Sequence, residues 1–284
     1  MAQAWTVRSL LQWAREWLAK RAVENPRLDA ELILAHALGC DRIRLYIDSD
    51  KPVTAEELAR FKPLMKRRGA REPVAYILGA KEFYGRRFDV SPGVFIPRPE
   101  TELLVRIVLE GLPPGAGRIL DLCAGAGAVG VSIAAERPEA RVDLVELSAE
   151  AAALARRNAE RHAPGRAQVH CGDLYAALPA QVRYDAISAN PPYVPLPHAE
   201  QLAPEIVHHE PHLALFAGAD GLDVIRRMVD GLRGWLAPGG LFVTEIDPSE
   251  NEMVAKLLSE AGLSQVRVER DLAGFHRFVL GKGP

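Results

Sequence analysis

The 284-residue chain has an ordinary globular composition, 48% hydrophobic and 25% charged, which excludes a disordered or collagen-like protein. Its net charge of −2 is far from the strongly basic balance of a chain that grips duplex DNA by itself. No apolar run reaches bilayer length, no signal-peptide pattern opens the chain, and three scattered cysteines, Cys40, Cys123 and Cys171, are too few for a zinc cluster. We therefore expect a reduced, cytoplasmic protein with no metal ion and no membrane partner.

Residues 1–80 predict a small helical bundle. Two stretches repeat apolar residues at helical spacing, and Gly39 ends the second of them. Thr54 and Glu57 have the spacing of a capping box at the start of a third helix. The charge is uneven, because residues 1–85 hold 15 Lys and Arg against 11 Asp and Glu, whereas the remainder holds 20 against 26.

Residues 81–98 predict a β-hairpin that links two domains. Aromatic residues such as Phe83, Tyr84 and Phe88 stand here among turn-forming glycines and prolines. Helix is predicted to resume after Pro99, since proline is well suited to a first helical turn.

Strand and helix patterns alternate after Arg118, which predicts an α/β domain over residues 99–284. Such alternation indicates a mostly parallel, Rossmann-like sheet with helices on both faces, closed by a C-terminal antiparallel hairpin. The predicted strands are Ile119–Leu122, Val142–Glu146, Ala167–Cys171, Tyr184–Ala189, Leu241–Ile246, Val266–Glu269 and His276–Leu280, and the predicted helices lie near 127–137, 149–162, 221–236 and 250–262.

A glycine-rich turn follows the first predicted strand of this domain. Gly125, Gly127 and Gly130 have the G-x-G-x-x-G spacing, which lets backbone approach a ligand at a helix N-terminus. Glu146 ends the next strand, where a carboxylate can accept hydrogen bonds from ribose hydroxyls. This pattern indicates a nucleoside ligand but leaves a dinucleotide and S-adenosylmethionine both open.

The tetrapeptide Asn190–Tyr193 follows a buried strand directly, at an edge where open α/β sheets bind ligands. The Asn190 side-chain oxygen and the Pro191 carbonyl can accept both protons of a planar NH2 group, and the Tyr193 ring can pack on its plane. Such hydrogen bonds return electron density to a conjugated nitrogen, which favours its attack on a sulfonium methyl group held in line. The fourth strand therefore favours S-adenosylmethionine and methyl transfer.

These motifs resemble those of class I S-adenosylmethionine-dependent amino-methyltransferases. Further segments resemble the bacterial release-factor glutamine N5-methyltransferases over most of the chain. The resemblance implies that the acceptor is the side-chain amide nitrogen (N5) of the glutamine in the Gly-Gly-Gln motif of class 1 translation release factors, and that S-adenosylhomocysteine is the product. The segments that carry it are 72–79, 83–85, 94–102, 210–215 and 271–277, whereas Gly172 and Asp173 after the third strand belong to the general class I pattern.

The resemblance also implies where the cofactor binds. Glu146 would hold the ribose, and Leu174 would flank the adenine at a position where many relatives carry an aromatic residue. Cys123 stands where relatives usually have glycine. The implied cofactor-binding residues are Cys123, Ala124, Gly125, Ala126, Gly127, Glu146, Leu174 and Asn190.

For the acceptor, the resemblance implies Asn190, Pro191 and Tyr193 as the catalytic residues. Residues 1–80 would dock the release factor, and we expect a monomer with no stably bound nucleic acid. The implied substrate-binding residues are Asn190, Pro191, Pro192, Tyr193, Phe95 and Arg98, with Ile96 and Pro97 on the same wall.

The main alternative is a nucleic-acid amino-methyltransferase acting on adenine N6 or guanine N2, whose acceptor is also a planar amino group. It would call for a basic face, whereas residues 86–284 are acidic overall. A nicotinamide-dependent oxidoreductase or a binding module would leave Asn190–Tyr193 unexplained. Residues 194–216, which hold four histidines without a zinc-site spacing, predict a loop on the substrate side.

Overall fold

The computed structural model describes residues 5–112, 115, 117–179 and 182–284. Contacts divide the chain into two compact units, each with its own core. The first unit is Met1–Gly79 with Ala203–His209, and the second is Ala80–Leu202 with Glu210–Pro284. Among the described residues, no helix combines the length and the apolar character that crossing a membrane requires.

Five helices form most of the first unit, as its sequence predicts. The predicted capping box is confirmed, because the Thr54 hydroxyl accepts from the Glu57 N–H at 3.2 Å and the Glu57 carboxylate accepts from the Thr54 N–H at 2.8 Å. The core is built by side chains such as Leu18, Ile33 and Phe61, which are fully buried. The helices are α1 (Val7–Ala19), α2 (Pro26–Leu38), α3 (Arg42–Ile47), α4 (Ala55–Gly69) and α5 (Val74–Leu78).

The second unit opens with a short antiparallel hairpin of β1 (Ala80–Phe83) and β2 (Arg86–Asp89). Phe83 and Phe88 are buried in it, with ring centroids 6.0 Å apart. The hairpin is therefore shorter than residues 81–98, since residues 90–98 form no helix or strand. A 3-10 turn over Pro99–Thr101 precedes helix α6 (Glu102–Gly111).

The predicted Rossmann-like fold is confirmed. Seven strands form one sheet in the order β5-β4-β3-β6-β7-β9-β8, with β3 to β7 parallel and β9 antiparallel to both of its neighbours. The elements are β3 (Arg118–Leu122), α7 (Ala128–Glu136), β4 (Arg141–Glu146), α8 (Ala149–His162), β5 (Ala167–Cys171), β6 (Tyr184–Ala189), α9 (Pro204–His209), α10 (Asp223–Trp235), β7 (Leu236–Glu245), α11 (Asn251–Glu260), β8 (Ser264–Arg270) and β9 (His276–Lys282).

Both faces of this sheet are covered by apolar clusters, as a parallel sheet requires. Alternate residues of each strand enter different clusters, so Ile119 and Ala186 belong to one and Leu120 and Ile187 to the other. Strand β7 begins at Leu236, five residues earlier than predicted, and ends at Glu245.

The segment expected as a loop, residues 194–216, contains short helices. Two 3-10 turns, Leu196–Gln201 and His212–Ala214, flank the helix α9. The apolar pattern of α9 spans only six residues, which is too short for helical periodicity to stand out in the sequence.

Candidate active site

The central strands bring the predicted site residues to one edge of the sheet. Strand register aligns Leu122 of β3 with Ala189 of β6, and Ala189 with Thr244 of β7. The next residue of each strand, including Asn190, therefore lies at the carboxyl edge. The strand order reverses direction between β3 and β6, and such switch points are where open α/β sheets bind ligands.

The three glycines of the motif after β3 have different structural roles, two in the turn and one in the first turn of α7. Gly125 and Gly127 have φ angles of +55° and +82°, which favour glycine. A Cβ atom added to Gly125 would meet nothing within 4 Å, so the backbone is open to an approaching ligand there. A Cβ atom on Gly130 would lie 2.8 Å from the Leu144 side chain, so this glycine allows α7 to pack closely on the sheet.

Asp121 of β3 is hydrogen-bonded to the start of the helix that follows this turn. Its carboxylate accepts a hydrogen bond from the Gly130 N–H at 2.8 Å and another from the Ser188 hydroxyl at 2.9 Å. Burial raises the pKa of Asp121 to about 7, against the opposing effect of these two donors. Asp121 thereby ties the start of α7 to β3 and β6.

Glu146 ends β4 and contacts the glycine turn that follows β3. Its two carboxylate oxygens accept from the Gly125 N–H at 2.7 Å and the Ser148 N–H at 2.8 Å. Burial raises the pKa of Glu146, and the same backbone donors lower it. Each oxygen keeps a second lone pair, and the residue is only partly buried, so the carboxylate fits a ribose diol.

Two non-glycine residues beside this turn adopt left-handed backbone conformations. Cys123 has a φ of +57° and Leu174 a φ of +45°. A Cβ atom disfavours positive φ, so glycine would adopt the backbone conformation at position 123 with less strain than cysteine. Burial also raises the pKa of the Cys123 thiol, so it stays protonated at neutral pH.

Asn190 and Tyr193 belong to one hydrogen-bonded network. Asn190 Nδ2 donates to Thr101 Oγ1 at 3.2 Å, and the Thr101 hydroxyl donates to Glu245 at 2.7 Å. The Tyr193 hydroxyl donates to the other oxygen of Glu245 at 3.2 Å. One buried carboxylate therefore fixes both predicted acceptor residues. Pro191 is buried and Pro192 is partly exposed.

Thr101 and Glu245 are site residues that sequence reasoning missed. Glu245 is 1% exposed, and this burial raises its pKa to about 7 while Thr101, Arg277 and Tyr193 lower it. Arg277 is itself held by Asp271, with 2.7 Å between Nε and Oδ2. The sequence did offer one signal, since Glu245 ends an apolar strand. A glutamate in such a position is rarely fully buried unless it is paired.

The predicted acceptor wall is tied to Glu210. Arg98 forms an ion pair with the buried Glu210 carboxylate, which also accepts from the Ile96 N–H at 3.2 Å. The Arg98 guanidinium lies over the Phe95 ring, 4.7 Å from its centroid. The charge of Arg98 is therefore already balanced within the protein. Within the described part of the chain, no group of three His, Cys, Asp or Glu side chains is arranged to hold a metal ion.

Comparisons with known proteins match both units. Residues 9–79 match the model of the PrmC N-terminal domain, and residues 86–219 match that of the methyltransferase small domain. The release factor glutamine methyltransferase of Geobacter sulfurreducens is 42% identical over 99% of this chain and 98% of that protein. Its Bordetella pertussis counterpart is 44% identical over 90% of this chain and 94% of that protein.

A solved structure adds a likeness in the fold. The Thermus thermophilus 16S rRNA N2 G1207 methyltransferase, in complex with AdoMet and guanosine, has a TM-score of 0.53 and 25% identity, over 72% of this chain and 50% of that chain. Sequence identity is far higher, and coverage more complete, among the release factor enzymes. The chain therefore belongs to the release factor glutamine methyltransferase family of methyltransferases.

Proposed function

We propose that this chain transfers a methyl group from S-adenosylmethionine to the N5 nitrogen of the glutamine in the Gly-Gly-Gln motif of class 1 release factors. The observation that carries this proposal is the Asn190 network at the carboxyl edge of the sheet, in a chain 42% identical to a release factor glutamine methyltransferase over nearly its full length. Its acceptor atoms match the two protons of a carboxamide NH2 group.

Asn190 and Pro191 bind the acceptor nitrogen. Asn190 turns its own NH2 group toward Thr101, which leaves its Oδ1 atom to accept from the glutamine NH2 group. The carbonyl of Pro191 accepts from the second proton. Because an amide nitrogen is a poor nucleophile, two acceptors that draw density back to nitrogen lower the barrier to attack.

Tyr193 orients the acceptor plane. Its hydroxyl is held by Glu245, so the ring is fixed and can pack on the flat carboxamide. Phe95, Ile96 and Pro97 bound the same side, held through the pairing of Arg98 with Glu210. After transfer the cationic amide loses a proton readily, and Glu245 reaches Asn190 only through Thr101, so this carboxylate is not assigned as a base.

The turn after β3 binds the cofactor in this proposal. S-adenosylmethionine, when bound, supplies the methyl group as a sulfonium electrophile. Residues 123–127 lie along its methionine part, Glu146 holds the ribose, and Leu174 flanks the adenine. The open space at Gly125 and the free lone pairs of Glu146 support this assignment.

The second candidate is a nucleic-acid amino-methyltransferase. The likeness to an rRNA guanine N2 methyltransferase solved with guanosine favours it, since guanine also presents a planar NH2 group. The acidic balance of residues 86–284 opposes it, because phosphate backbones bind basic surfaces.

One labelling experiment separates these candidates. The enzyme is incubated with methyl-labelled S-adenosylmethionine and equal amounts of a class 1 release factor, its Gly-Gly-Gln variant with the glutamine changed to alanine, tRNA, rRNA and DNA. We expect label only on the release factor with the wild-type sequence, and mass spectrometry should place it on the glutamine of the Gly-Gly-Gln motif. Label on a nucleic acid, or equal label on both factors, would refute the proposal.

We further propose that the first unit docks the release factor. The Gly-Gly-Gln loop of the release factor is short and offers little contact surface. A specific protein complex needs about 800 Å² of surface from each partner, so further contacts are required. Lys62 and Lys66 are exposed on α4 and contribute to the basic balance of residues 1–85. Changing both to Glu should raise KM for the whole factor and leave kcat unchanged, and an unaltered KM would argue against docking by this face.

A further inference from the structure

A buried hydroxyl, that of Thr101, accepts a hydrogen bond from the Asn190 side chain. Thr101 and Glu245 are 3% and 1% exposed, and they come from the turn before α6 and from the end of β7. Both side chains are shielded from solvent, and Thr101 contacts Asn190 while Glu245 contacts both Thr101 and Tyr193.

When Glu245 is ionised, the chemistry of these three groups allows one arrangement. An ionised carboxylate only accepts hydrogen bonds, so the Thr101 proton must point to Glu245. The Thr101 oxygen then offers only lone pairs to Asn190, which must present its NH2 group to them. The Asn190 Oδ1 atom is thereby turned away from Thr101.

The orientation of the Asn190 amide has to be fixed by its partners, because the two ends of a carboxamide have nearly the same shape. Without the hydroxyl, the flipped amide is available, and it would present N–H donors to the NH2 donors of the acceptor. Two donors cannot form a hydrogen bond, so the flipped form would lose one of the two contacts to the acceptor nitrogen.

We propose that Thr101 and Glu245 are positioning residues that hold Asn190 in the one amide orientation able to accept from a planar NH2 group. This inference rests on the proposed function only for the identity of the acceptor. Glu245 serves both sides of the acceptor, because its second oxygen fixes the Tyr193 ring. The Glu245 carboxylate therefore holds Asn190 through Thr101 and holds the Tyr193 ring directly.

The test compares two substitutions at one position. Thr101→Val keeps the shape and removes the hydroxyl, whereas Thr101→Ser restores the hydroxyl. Ser132→Ala is the control, since it removes a buried hydroxyl from α7 that has no hydrogen-bond partner among the described residues. For each variant we would measure kcat with release factor, the Kd of S-adenosylmethionine and the melting temperature.

We expect Thr101→Val to lower kcat by about 10- to 100-fold, in the range of other lost transition-state hydrogen bonds. The Kd of S-adenosylmethionine should stay unchanged, and Thr101→Ser should recover most of the activity. Ser132→Ala should match the wild type. Unchanged kcat in Thr101→Val, failure of Thr101→Ser to recover, or a parallel loss of cofactor binding would each overturn the inference.

A substrate-free measurement keeps this test separate from the proposed function. The side-chain amide protons of Asn190 can be identified by NMR from the signals that Asn190→Ala lacks. Their exchange with solvent should be slow in the wild type and faster in Thr101→Val, because one of them is bonded to Thr101. Equal exchange rates would refute the positioning role, whatever substrate the enzyme methylates.

Discussion

Arg68 of α4 forms an ion pair with Glu205 of α9 at 3.0 Å, although 137 residues separate them in the chain. The same guanidinium pairs with the buried Asp29 at 2.6 Å, and Arg71 pairs with Glu205 at 2.6 Å. The segment Ala203–His209, which follows the proposed acceptor residues in sequence, is thereby held within the first unit. Deleting the N-terminal helices would remove the partners of Glu205, so point substitutions are better tests of docking than truncation.

Arg68→Ala should destabilise the protein far more than its neighbour Arg67→Ala. Arg68 is 5% exposed, and its loss leaves Asp29 buried without a countercharge, which costs about 3–5 kcal/mol. Arg67 pairs with Glu72 at the surface, where such a pair contributes at most about 1 kcal/mol. Urea unfolding of both variants measures the difference. Equal free energies of unfolding would mean that the Arg68 cluster is not a structural anchor.

Glu146→Ala should weaken S-adenosylmethionine binding by about 10- to 100-fold, the equivalent of one charge-assisted contact of about 1.5–3 kcal/mol. Glu146→Gln should also weaken binding, because its NH2 group would face the Gly125 or Ser148 N–H. Calorimetric titration with the cofactor measures both. Wild-type affinity in Glu146→Ala would place this carboxylate outside the cofactor site.

Turnover should fall as the pH drops through about 7. Burial raises the pKa of Glu245 to about 7, with Thr101, Arg277 and Tyr193 opposing the rise and Glu100 adding to it. Above this value the carboxylate is ionised and accepts from Thr101. Below it the carboxyl group can donate to Thr101, which frees the Thr101 proton to bond Asn190 Oδ1 and allows the flipped amide.

The kcat profile between pH 5.5 and 8.5, on the order of one pH unit or more to either side of the Glu245 pKa, checks this effect. Glu245→Gln cannot ionise and should lose the acid limb, whatever its activity at pH 8. An acid limb that persists unchanged in Glu245→Gln would assign the titration to another group.

The sequence predicted the parts of the molecule that depend on local patterns. Each of these patterns involves residues that are close together in the sequence. Examples are the capping box at Thr54, the alternation of strands and helices, and the turn at Gly125. The position of Asn190 at the sheet edge also followed, because it comes directly after a buried strand.

The parts that were not predicted depend on contacts between distant residues. Thr101 lies 89 residues from Asn190 and 144 from Glu245, so neither partner carries a local signal of the network. The membership of Ala203–His209 in the first unit likewise depends on the ion pairs of Glu205. The positive φ of Cys123 is a backbone property that the side chain does not reveal.

The proposed role of Asn190 is best tested by the turnover of Asn190→Ala on whole release factor, compared with its affinity for S-adenosylmethionine. This change removes the Asn190 oxygen that we propose accepts from the substrate amide, and it leaves the contacts of Glu146 with Gly125 and Ser148 in place. We predict a loss of about 10²-fold or more in kcat, with a much smaller change in the cofactor Kd. Near-normal turnover in Asn190→Ala would contradict the proposal that this side chain binds the acceptor amide.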